Sequence, residues 1–128
     1  MAAFGTYLAN ALGDESLRAT AYAAPATVYL ALHTANPTVD GSGAEVTGGS
    51  YARQSIAFDA FALGVTANTS LITFPTATAD WGTVTHWGIR DASTAGNLLY
   101  FGAFTASRIV NTGDVYTVPA GSFDLTLA

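Results

Sequence analysis

Two histidines, nine carboxylates and four arginines are the stock of ionic side chains in this 128-residue chain, which has neither cysteine nor lysine. Nucleophilic catalysis needs a nucleophile held beside a positioned base, and His33 and His86 are the imidazoles on offer. Neither belongs to a Gly-x-Ser-x-Gly turn. His33 ends the run Val28-Tyr-Leu-Ala-Leu-His33, and His86 sits among aromatics in Trp81-Gly-Thr-Val-Thr-His-Trp87. A general base or pH sensor is one reading of each; these contexts favour a histidine hydrogen-bonded within a sheet or interface. The loop Asp40-Gly-Ser-Gly-Ala-Glu45 presents oxygen ligands of the kind Ca²⁺ takes. It lacks the dense carboxylate spacing of a dedicated ion loop, so an ordinary turn is expected and no metal or cofactor is assigned. Converging carboxylates for glycoside hydrolysis would have to come from nine scattered ones, and nothing singles out a pair. A phosphate loop of the Gly-x-x-x-x-Gly-Lys type needs the lysine this chain lacks. The residues point away from an enzyme.

The elements carrying these side chains read as β after a helical start. Phe4, Tyr7, Leu8, Ala11 and Leu12 recur at helical spacing, Gly13 weakens the pattern, and Asp14-Glu15-Ser16 can cap a second turn. One or two short helices ending near Ala19 are expected. This arm, residues 1–24, either packs on the core or docks on a neighbour. Residues 25–128 then form a single domain of short strands and turns. Val28, Leu30 and Leu32 alternate with Tyr29, Ala31 and His33, a period-two strand with both faces fairly apolar. Further strands are expected at Ala52–Phe58, Thr69–Phe74, Val84–Arg90, Leu98–Phe104, Asp114–Val118 and Ser122–Leu127. The Gly-rich loop Asp40–Ser50 is long enough to suggest binding or docking. The fold class that follows is all-β: an antiparallel β-sandwich of jelly-roll or similar Greek-key kind, preceded by a short N-terminal α-helical segment.

Composition bounds the partners. Half the chain is apolar and 10% is charged, against about a quarter charged in ordinary soluble domains. Interface cores are depleted in charge and enriched in aromatics, so the missing charge suggests a surface covered by neighbours. Leu98-Leu-Tyr-Phe-Gly-Ala-Phe104 carries large apolar groups on both faces and calls for a second covering layer, the N-terminal helix or a sister subunit. With a net charge of −5 and four dispersed arginines, nucleic acid is not an expected partner. No stretch approaches the ~18 apolar residues of a membrane span, and Met1-Ala-Ala-Phe-Gly5 has no positive n-region of a signal peptide.

Several segments carry a resemblance. Ala24-Pro-Ala-Thr-Val-Tyr-Leu-Ala-Leu-His-Thr-Ala-Asn-Pro37, Glu45-Val-Thr-Gly-Gly-Ser-Tyr-Ala-Arg53 and Ile72-Thr-Phe-Pro-Thr-Ala-Thr-Ala-Asp-Trp-Gly82 occur in that order. Thr85-His-Trp-Gly-Ile-Arg-Asp91, Gly96-Asn-Leu-Leu-Tyr100 and Ala120-Gly-Ser-Phe-Asp-Leu-Thr-Leu127 follow. Together they resemble a family of small tailed-bacteriophage virion structural proteins, often labelled tail-fibre-like. The resemblance implies a virion component without enzymatic activity, made in a bacterial cytoplasm and placed on the virion surface. A short, self-contained chain without a coiled-coil or β-helical shaft leans towards a capsid decoration (cement) protein that stabilises the shell. A tail-fibre or tail-tip subunit involved in host attachment is the alternative. Expected partners are the chain itself, as a symmetric homo-oligomer with a trimer favoured over a dimer, and the major capsid protein or tail proteins. The expected contact residues are Phe4, Tyr7, Leu8 and Leu12 on the arm, Asp40 and Glu45 in the Gly-rich loop, and Trp87, Tyr100 and Phe101 between subunits.

Overall fold

A computed structural model describes residues 2–127. In chain order the strands are β1 (Ala3–Phe4), β2 (Val28–His33), β3 (Gln54–Ile56), β4 (Val65–Ala67), β5 (Ile72–Thr73), β6 (Gly82–Arg90), β7 (Leu98–Val110), β8 (Thr117–Val118) and β9 (Asp124–Thr126). One helix, α1 (Thr6–Arg18), lies between β1 and β2. β6 and β7 form the longest antiparallel ladder, and their connection is braced by Asp91, whose carboxylate accepts from Asn97 N at 2.7 Å and Asn97 Nδ2 at 3.1 Å. β2 adds to β6, β3 to β2 and β1 to β7, giving a five-stranded sheet in the order β1-β7-β6-β2-β3. β4 pairs with β9 and β5 with β8, all antiparallel. These pairs pack on the large sheet through aromatic contacts: Trp87 meets Phe123 at 4.9 Å, and Phe74 meets Tyr116 at 5.7 Å and Trp81 at 6.4 Å. The fold is all-β and sandwich-like with an N-terminal helix, as the sequence predicts.

The cross-strand register decides which side chains share a face, because directly opposed residues point to the same side. Leu30, Leu32, Trp87, Ile89 and Tyr100 fall on one face of the large sheet. They belong to, or pack against, one hydrophobic core that also holds Ile72, Phe74, Tyr116, Val118, Phe123 and Leu125 from the smaller pairs. Tyr29, Ala31, His33, His86, Gly88, Arg90 and Phe101 fall on the other face. There the chain's own loop after β2 supplies cover: Gly43 O lies 3.1 Å from His33 Nδ1, and Arg90 Nη2 donates to Gly41 O at 2.9 Å. The layer demanded by the two-faced apolar strands is thus furnished in large part by the same chain.

α1 is one helix that runs through Gly13 and stops at Ala19, which turns left-handed at φ 55°. It is fastened at its start, where Gly5 N donates to Leu99 O at 2.8 Å and Thr6 N to Val39 O at 2.8 Å. A side chain at Gly5 would collide with the Leu98 carbonyl, so only glycine allows the approach. β2 has the bounds its alternation predicts. β7 runs well past Phe104, because Arg108, Ile109 and Val110 pair with Val84, Thr83 and Gly82. Between these registers the single residue Thr85 on β6 faces the four from Phe104 to Ser107 on β7, a bulge. It leaves Phe104 against Tyr116 and Phe123. Thr105-Ala-Ser-Arg108 has no apolar alternation, so this half of β7 is invisible to pattern reading.

Candidate interaction surface

The polar side chains that chemistry singles out are held by structural partners. His33 is fully buried, and burial pushes its pKa below the ordinary imidazole value against the pull of Glu45. Its Nε2 makes no hydrogen bond. His86 is half-buried, with Nδ1 2.8 Å from the Thr85 hydroxyl. Trp81 is buried and donates Nε1 to Gly49 O at 2.9 Å. Asp80 accepts from Thr112 N at 2.8 Å and Thr112 Oγ1 at 3.0 Å, bracing a turn. Among the described residues no group of three or more His, Asp or Glu side chains is placed to hold a metal ion. Among the described residues no helix is long and apolar enough to cross a membrane.

The Gly-rich loop is ordered by two local networks. Asp40 accepts from the Thr38 hydroxyl at 2.6 Å and Ser42 N at 3.0 Å, and these bonds hold its carboxyl down at about 2. Glu45 is gripped bidentately by Arg53, Nε to Oε2 at 2.8 Å and Nη2 to Oε1 at 2.8 Å, and Tyr51 donates its hydroxyl to Oε2 at 2.7 Å. Burial pushes the Glu45 pKa up, but the bonds from Arg53 and Tyr51 and the Arg53 charge outweigh it, so the carboxyl titrates below the usual range. The Tyr51 oxygen accepts from Leu32 N at 3.0 Å, while Arg53 Nη1 donates to Ala92 O at 3.0 Å and Ala95 O at 2.7 Å. One ion pair thereby joins the loop to β2 and to the β6–β7 connection.

The expected contact residues divide by burial. Phe4 and Tyr7 are exposed, and the Phe4 ring lies 5.3 Å from that of half-buried Tyr100. Leu12 and Phe101 are half-buried, Asp40 is exposed, and Glu45 is engaged as above. Leu8 and Trp87 are the corrections. Leu8 is 3% exposed and Trp87 6%, both inside the chain's own core, because α1 turns Leu8 inward and Phe123 caps the indole. Neither side chain is free to meet a neighbour. Exposed apolar side chains that pattern reading passed over are Phe61, Leu63, Val65, Leu71, Ile109 and Val115. Their one signal is in Phe61-Ala-Leu-Gly-Val65, where Leu-Gly stands at a turn that would ordinarily carry Asn-Gly or Asp-Gly.

No curated protein matches the chain. A family model described as podophage GP4 fiber I protein gp80 matches residues 3–126. A match from β1 to the end of β9 covers every element of the fold, and the chain therefore belongs to this family of podophage fibre proteins.

Proposed function

We propose that the protein is a non-enzymatic fibre subunit on the surface of a podophage virion, which assembles with copies of itself and takes part in host attachment. The observation that carries this reading is the fibre-family match over residues 3–126. Two features of the molecule support it. The ionic side chains brace loops and turns instead of converging on a cleft, and large apolar groups such as Phe4, Tyr7 and Leu63 stand exposed on a chain with few charges. The capsid-decoration expectation draws no support from the family, whereas its fibre alternative does. A closed homo-oligomer, a trimer first, is the assembly proposed.

Gold-labelled antibody against the protein, viewed by electron microscopy on purified particles, is expected at fibres. Uniform labelling of the capsid shell would overturn the reading in favour of decoration. Purified oligomer is further expected to compete with particles for adsorption to host cells.

A further inference from the structure

His33 is sealed inside the fold at 0% exposure, and the loop after β2 lies over it. Gly43 O stands 3.1 Å from Nδ1, and a carbonyl only accepts, so Nδ1 carries the proton and Nε2 is bare. Among the described residues Nε2 meets no hydrogen-bond partner. It faces apolar ground, since a methyl at Gly88 would stand 3.2 Å from Nε2 and 2.9 Å from Leu98 Cδ1. A second proton on this ring would make a buried, charged N–H with nothing to receive it.

The charges around the ring do not relieve that cost. From β6, Arg90 shares the face of His33, with its Nε also buried and unbonded, and His86 is the directly opposed neighbour. β7 brings the apolar Leu98. Tyr51 and Arg53 come from the segment leading into β3, and Glu45 bridges to His33 from the loop. Glu45 attracts a proton to the ring, but its oxygens already hold Arg53 and Tyr51. Asp40 is turned to Thr38 and Ser42, and Asp91 to Asn97. Burial disfavours the imidazolium most, Glu45 opposes it, and Arg90 and Arg53 add to it. The covering loop is pinned where Gly41 O accepts from Arg90, Ala44 O from Thr34 N, and Val39 O from Thr6 N at the start of α1. We propose that the loop of residues 38–45 is an acid-released flap: protonation of His33 lifts it from the sheet, uncovers Arg90 and Leu98, and unfastens the start of α1. The flap belongs to the protomer and does not depend on the fibre reading.

Amide exchange at about pH 7.5 and about pH 5.5, corrected for intrinsic rates and repeated in low urea, tests it. The Thr6 and Thr34 N–H groups are expected to exchange through a local, urea-insensitive opening. On acidification that opening should become severalfold more frequent, towards a ceiling of about tenfold set by one proton. Glu45 and Asp40 titrate below this window and do not supply the response. His33→Gln, which stays neutral, should abolish it, and His86→Gln should leave it intact. Opening that is unchanged in the wild type, that occurs only through urea-sensitive global unfolding, or whose acid response is lost in His86→Gln overturns the flap. Nitrogen NMR of the wild-type ring serves in case His33→Gln fails to fold. Under a closed loop the ring is expected to stay in the Nδ1–H form below the ordinary imidazole value of 6.5. A ring that titrates at that value with the Thr6 and Thr34 amides still protected overturns the proposal.

Discussion

Glu45 sets the pattern for the ionic residues: its carboxylate serves to hold a loop, through Arg53 and Tyr51. The Arg53 side chain is 8% exposed and that of Glu45 20%, so Glu45→Gln leaves a largely covered guanidinium short of its partner. It should cost about 2 kcal/mol in urea unfolding at neutral pH. The pH dependence has a definite sign. Glu45 titrates below its ordinary 4.5 in the fold, so its contribution is full above that value and is lost as pH falls through the folded pKa. His33 is also lowered, from 6.5, so the unfolded chain takes up its proton first and stability begins to fall as pH drops below 6.5. Wild-type stability should therefore decline on acidification in two stages, with His33→Gln removing the upper and Glu45→Gln reducing the lower, to which Asp40 also contributes. The context of His33 was legible, since a histidine ending an apolar strand is more at home in a sheet than in catalysis. The Glu45–Arg53 pair was not, because it closes across an irregular loop that leaves no periodic trace.

At the scale of elements, α1 separates what periodicity can and cannot say. Spacing groups Phe4, Tyr7, Leu8 and Leu12 as one stripe, and the fold divides them: Leu8 enters the core while Phe4 and Tyr7 stay exposed. Leu8→Ala should cost about 2–4 kcal/mol of protomer stability, whereas Tyr7→Ala should change it by less than about 0.5 kcal/mol; denaturant melts at low concentration separate the two. Gly5→Ala should loosen the whole arm, because the new methyl meets the Leu98 carbonyl. Amide exchange from Thr6 to Arg18 would then quicken while that of β2 stays slow. β2 was legible because its alternation is intrinsic to its own residues. The outer half of β7 was not, since Arg108 to Val110 become strand only by pairing with Gly82 to Val84.

Across the whole molecule, low charge and abundant aromatics have two destinations. Phe74, Trp81, Trp87, Tyr116 and Phe123 fill the sandwich core, which absorbs much of the apolar content within one chain. What remains outside includes Phe4 and Tyr7 near the N-terminus, Phe61, Leu63 and Val65 at one turn, and Leu17, Val39, Leu71, Ile109 and Val115 elsewhere.

The sequence by itself determined the β class, a helical N-terminal segment, the lack of a recognisable nucleophile–base pairing and the kinship with virion proteins. All of these are written in local spacing and residue type. Only the tertiary structure decided which apolar groups are spent inside: that Phe123 covers Trp87, that the loop at Gly43 covers His33, and that no described residue covers Leu63. Periodicity says that a face is apolar. What lies against it is settled by residues far along the chain.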